Sequence, residues 1–241
     1  MSLATTRGVG TVFEVTNSIG VKSFLIGTMH TVDKESVEDK RFRKILDKCS
    51  TLYTEMGNNF LITSSHGSIP EGDHPYRHIP LRYAYDEAIG IYAWCKKIPN
   101  ISLDEKIPDQ ALALSSLIQR MRTKGPDFCE KVVMDNLANT TNETLLKKWK
   151  DGSVFKVVPR PRDSAEAEEM HFAEELHREN VWCETLIPTL LTTQKPICIA
   201  VGAIHVAGAG SLSERFKKAG LKVELLPNNR PRSFIEILSR L

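Results

Sequence analysis

The sequence predicts an α/β fold: a central mixed β-sheet flanked by helices, with a helical insertion between two βαβ-like halves. Three observations predict it. Apolar, β-like runs lie near both ends of the chain, Phe24 to Ile26 and Ile197 to Val201, with helical composition between them. Each run leads into the same tetrad, Gly-x-x-His: Gly27-Thr28-Met29-His30 and Gly202-Ala203-Ile204-His205. A strand–helix–strand pattern recurs around each tetrad. The chain therefore reads as one domain over residues 1–241, with two related halves and the insertion at about residues 81–150.

The elements follow from local pattern. Thr11 to Val15 and Val21 to Ile26 alternate as strands, and Asn17-Ser18-Ile19-Gly20 supplies the turn of a hairpin. Asp33 or Ser36 caps a helix running to Lys48, with Val37, Phe42, Ile45 and Leu46 on one face. Thr51 to Met56 is a strand ending in Glu55-Met56-Gly57. Residues 58–78, rich in Gly, Pro, Ser and His, read as a loop or lid. Helical spacing resumes from Leu81 to Lys97, Ile101 to Leu103 is a short strand, and a helix starts at Pro108-Asp109-Gln110. Gly125-Pro126 divides the helical stretch between Asp109 and Lys150. A long helix covers Ser164 to Leu191, with Pro188 near its end or at a kink. Pro196 to Val201 is a strand, Ser211 to Ala219 a helix closed by Gly220, and Lys222 to Leu226 the last strand.

Composition narrows the function classes. The 241 residues suffice for one core, and 41% hydrophobic with 26% charged residues is ordinary for a globular protein. A net charge of +2 without a long basic run argues against nucleic acid as a partner. No run of about 18 apolar residues predicts a membrane span. Met1 to Gly10 lacks an apolar signal-peptide core, so the chain as encoded is expected in the cytoplasm. The five cysteines, Cys49, Cys95, Cys129, Cys183 and Cys198, form no CxxC pair and are expected as reduced thiols.

His30 and His205 lead the candidates for chemistry. A histidine just past the C-terminal end of a buried strand stands where α/β sheets bind ligands. The two lie about 175 residues apart in sequence and converge if their strands are neighbours. One Gly-x-x-His alone reads as a histidine bonded to a strand-end carbonyl; two in matching contexts point to function. Glu55 ends a strand at the same sheet edge and could bind a metal, act as general base or orient a histidine. Arg178 and Asn180 lie in a Glu-rich helix. An arginine there either belongs to a salt-bridged surface or, in a pocket, pairs a carboxylate or stabilises an oxyanion. His66, His74 and His78 could gate the site or add a ligand, whereas His171 and His177 read as helix-surface residues. A cysteine nucleophile ranks low: Cys198 is mid-strand, and Cys183 sits on a helix beside Trp182.

Ser23-Phe24-Leu25-Ile26-Gly27-Thr28-Met29-His30 resembles the opening motif of the TraB/GumN/TIKI proteins, whose wider superfamily includes the erythromycin esterases and the ChaN haem-binding proteins. Thr54-Glu55-Met56 resembles the acidic strand end of that family, and Leu103-Asp104-Glu105 with Gln110 its middle motif. Arg178-Glu179-Asn180 resembles its Arg/Asn helix motif. Ala200 to His205, with Gly208, Gly210 and Leu221-Lys222-Val223, resembles its closing block. The resemblance implies an α/β fold with both histidines in one site, and hydrolysis, since TIKI members are described as metal-dependent proteases and the esterase branch activates water with a histidine. The long His- and Gly-bearing loop after Glu55, the compact length and the expected absence of a membrane anchor depart from the pattern. The superfamily also includes domains of bacterial toxins and of effectors delivered into host cells, where a host protein is the target.

The sequence-level expectation is thus a hydrolase acting on a peptide or a small-molecule ester. His30, Glu55, Arg178 and His205 are its catalytic residues. His30 and His205 activate water directly or through a divalent ion (Mn, Co or Zn) held by His30, Glu55 and His205. The alternative is a non-catalytic or haem-binding module of the same fold.

Overall fold

The computed structural model describes residues 10–29, 40–55, 85–107, 116–117, 119–136, 142–150, 164–171, 177–208 and 210–227. His30, the loop histidines His66, His74 and His78, and Gln110 lie outside the described residues. Six strands form one sheet: β1 (Val12–Thr16), β2 (Lys22–Thr28), β3 (Thr51–Thr54), β4 (Asn100–Ser102), β5 (Ile197–Gly202) and β6 (Lys222–Leu225). Their order is β4-β3-β5-β2-β1-β6. β4, β3, β5 and β2 are mutually parallel, while β1 runs antiparallel to both β2 and β6, which makes the sheet mixed as expected.

Alternation along the strands divides the core into two layers. Leu25, Tyr53, Ile199 and Val201 turn to one face, with Trp182, Leu186 and Leu190 of α6 (Arg178–Thr192) and Leu212 and Phe216 of α8 (Leu212–Lys218). Phe24, Ile26, Leu52, Cys198 and Ala200 turn to the other. There they meet Phe42, Ile45 and Leu46 of α1 (Lys40–Leu46) and Tyr85, Ile89 and Ala93 of α2 (Tyr85–Cys95). Parallel strands covered on both faces read as unbroken apolar runs, which is why β2 and β5 stood out in the sequence. A separate small cluster packs Leu117 and Met121 against Val132 of α3 (Pro126–Asn136) and Ala167 of α5 (Ala165–His171). α4 (Asn142–Lys150) instead sends Trp149 into the second layer, where its indole donates to the Gly27 carbonyl at 2.7 Å.

One side-chain device ties the start of the sheet to the end of α6. The Asn17 amide donates to the carbonyls of Leu190 (3.1 Å) and Thr193 (3.0 Å), while its oxygen accepts from the Val21 N–H (2.9 Å). One turn residue thereby closes the β1–β2 hairpin and satisfies carbonyls at the end of α6. α6 continues past Pro188 to Thr192. Gly220 has φ +89°, and the backbone N–H of Leu221 returns to the Phe216 carbonyl, the glycine closure expected of α8. Among the described residues no helix is long and apolar enough to cross a membrane.

Candidate functional site

Because β2, β3, β4 and β5 are parallel, their C-terminal ends share one edge of the sheet. β5 occupies the slot between β2 and β3, so the chain order reverses there, and such switch points open a crevice for ligands. The two tetrad-bearing strands are direct neighbours: Gly27 pairs with Val201 and Thr28 with Gly202. The structure thus meets the condition set for convergence of the tetrads as far as Met29, the last described residue before His30.

Glu55 is the first residue beyond β3. Its carbonyl accepts from the Ser102 hydroxyl (2.9 Å) and the Asp104 N–H (3.0 Å), which pins its backbone to the turn after β4. Its carboxylate is held on both sides. Oε1 accepts from the Gly202 N–H at 2.6 Å, and Oε2 from Arg178 Nη2 at 2.5 Å. Arg178 opens α6 and spends further donors on Asp104, Nε to Oδ1 at 3.2 Å and Nη2 to Oδ2 at 2.7 Å. Asp104, in a 3₁₀ turn over Asp104–Lys106, also accepts from Trp182 Nε1 at 3.0 Å. The guanidinium stacks on the Trp182 ring, 4.6 Å from its centroid. Burial alone would lower the pKa of Arg178, but Glu55 and Asp104 outweigh it and raise the pKa above the usual arginine value. Of the two alternatives the sequence offered, Arg178 thus takes the part-buried one that pairs carboxylates.

His205 sits on α7 (Ala203–Val206), one helical turn directly after β5, and is 2% exposed. The Trp182 ring packs against it in a T-shaped contact, 4.9 Å between centroids and 71° between planes. Its Nδ1 lies 3.1 Å from Glu179 Oε1. Its other edge faces Gly202: a Cβ there would stand 3.4 Å from His205 Cδ2, 3.9 Å from Nε2 and 3.3 Å from Glu55 Oε1. The imidazole and the carboxylate therefore both border the space beside Gly202. Asn180 is exposed and accepts from Arg215 Nη1 at 2.6 Å, away from this space.

The cysteines point elsewhere. Burial, with the Glu179 charge adding to it, pushes the Cys183 thiol up to about 11, although Arg215 pulls the other way. Burial and the neighbouring Cys49 push Cys198 well above the usual thiol range. Neither is poised as a nucleophile.

Three residues around the site were not singled out as sites in their own right: Asp104, Glu179 and Trp182. Asp104 and Glu179 appeared only inside motifs. The signal for Glu179 was its spacing from Trp182, Cys183, Leu186 and Leu190, which places it on the buried stripe of α6. Among the described residues no group of three His, Cys, Asp or Glu side chains forms a metal cluster.

No curated protein and no solved structure matches this chain. A family model does, over residues 101–225, a stretch that takes in Asp104, Arg178, Glu179, Gly202 and His205. That match covers more than half of the sequence, and the chain belongs to the TraB/PrgY/gumN family.

Proposed function

We propose that this protein is a hydrolase whose water-activating groups are Glu55 and His205. The observation that supports the reading is their common position beside Gly202 at the switch point of the sheet. An imidazole beside a fixed carboxylate is a general acid–base arrangement, worth roughly 10²–10⁴-fold in rate. His205 takes the proton of the attacking water through Nε2, and Glu55 orients that water. Arg178 commits Nε and Nη2 to Asp104 and Glu55, which gives it the role of holding Glu55. His30, two residues beyond β2, is proposed to complete the site from the neighbouring strand. The substrate class is a peptide or a small-molecule ester.

The donor chemistry also fits a divalent ion. A carboxylate stands opposite an imidazole whose Nδ1 already meets a second carboxylate, the surroundings common to metal-ligating histidines. An ion held by Glu55, His205 and His30 would supply Lewis-acid polarisation and bring the pKa of water to about 7.

The test uses a panel of p-nitrophenyl esters and a quenched fluorogenic peptide library, each with EDTA and with Mn, Co or Zn. His205→Ala and Glu55→Gln should each lower hydrolysis at least about 100-fold while circular dichroism remains that of the wild type. Full activity in both variants, or no hydrolysis by the wild type under any condition, defeats the reading.

A further inference from the structure

Glu179 is a carboxylate in an apolar place. It is 4% exposed and shares the inner stripe of α6 with Trp182, Cys183, Leu186 and Leu190. A buried carboxylate persists only if its charge is paired and its lone pairs are used. Glu179 has two partners on different elements. Oε1 meets His205 Nδ1 of α7 at 3.1 Å, and Oε2 faces Arg215 Nε of α8 at 3.6 Å. Arg215 is itself anchored, donating to the Gly210 carbonyl (2.5 Å) and to Asn180 Oδ1 (2.6 Å). The shorter contact goes to the imidazole, so Glu179 does more than tie α6 to α8.

We propose that Glu179, backed by Arg215, is the positioning residue of His205: it accepts the Nδ1 hydrogen and so fixes the tautomer whose bare Nε2 lies on the Gly202 side of the ring. A carboxylate oxygen accepts, and with the Arg215 guanidinium at the other oxygen the hydrogen between these two atoms belongs to the imidazole. The T-shaped Trp182 contact opposes a ring flip that would exchange the two nitrogens. Trp182 is held in turn by Asp104, which also holds Arg178. One chain of contacts thereby orients both Glu55 and His205. Orientation through Nδ1 is needed whether Nε2 receives a proton or binds an ion. The catalytic consequence rests on the hydrolytic reading; the tautomer does not.

The experiment is long-range ¹H–¹⁵N correlation on the full chain labelled at histidine, with His205 assigned by the signal lost in His205→Gln. Wild type should show a protonated Nδ1 and a bare, pyridine-type Nε2. Glu179→Gln, nearly isosteric but neutral, should give a mixture of tautomers. Arg215→Lys should keep the wild-type pattern because the positive charge remains. On a substrate that the wild type hydrolyses, Glu179→Gln should lower kcat about 10- to 100-fold with KM unchanged. A wild-type His205 protonated at Nε2, or a pattern unmoved by Glu179→Gln, overturns the proposal. The expected spectra without any hydrolysis would defeat the hydrolase reading and leave this one standing. Hydrolysis that depends on His205 with the opposite tautomer would do the reverse.

Discussion

On β2, the glycine of the first tetrad is pressed against apolar neighbours: a Cβ on Gly27 would stand 2.9 Å from Val206 Cγ2 and 3.1 Å from the Ala203 backbone. On the adjacent β5, the glycine of the second tetrad faces polar ones, Glu55 Oε1 and His205. The two positions are one residue out of step in the ladder, since Gly27 lies opposite Val201 and Gly202 opposite Thr28. A shared sequence pattern thus covers two physical reasons for glycine. At Gly27 the missing side chain lets α7 lie close on the sheet. At Gly202 it leaves room between an acid and a base.

The comparison can be broken in measurable ways. The largest effect should come from the polar side. Arg178→Ala leaves Glu55 and Asp104 without their shared cation, and removing one partner of a buried ion pair costs roughly 3 kcal/mol. Urea unfolding should show a matching fall in midpoint; an unchanged midpoint would mean that the cluster is solvated. Gly27→Ala should cost about 1–3 kcal/mol of stability, because the backbone of α7 must move to admit the methyl group. Gly202→Ala should spare stability and cost activity. Gly202 has φ −48° and ψ 139°, which any residue adopts, and its new Cβ would meet only side-chain atoms at 3.3 Å and beyond. Stability should change by less than about 1 kcal/mol while hydrolysis falls at least about tenfold, since misplaced acid–base groups lose their advantage. If both alanine variants lost stability alike, the division between packing and chemistry would be wrong.

The smallest effect is chemical. With its thiol raised to about 11, Cys183 should hold only about a thousandth of its thiolate form at pH 8. Iodoacetamide at that pH should therefore modify exposed Cys95 and spare Cys183, with the Cys183 rate rising tenfold per pH unit toward 11. Rapid labelling of Cys183, read by peptide mass spectrometry, would reopen a cysteine mechanism.

Much of this was legible in the residues. β2 and β5 showed themselves as apolar runs because both faces of the sheet are covered, and Glu55 and His205 because each directly follows such a run. The turn at Asn17 and the closure at Gly220 depend on local chemistry that a short window reveals. What stayed hidden was pairing at long range. Nothing near Arg178 announces that Asp104, 74 positions earlier, will take two of its hydrogen bonds. Glu179 was obscured by the acidic residues around it, although only Glu179 shares the buried stripe with Trp182 and Leu186. Asn180 follows Glu179 directly, and a step of one residue along a helix turns its side chain about 100° away, to the exposed face.

The position of β5 also bears on how the molecule assembles. Its two partners, β2 and β3, are made early, yet the gap that separates them stays vacant until residues 197–202 have been synthesised. Pairing across some 170 residues carries a large loop-closure cost, so the nascent amino-terminal half has no route to a continuous sheet by itself. The late strand acts as a keystone, delivering its own histidine in the same event that joins β2 to β3. Ribosome-bound chains that stop before it should remain open to protease, and those extending past it should become resistant.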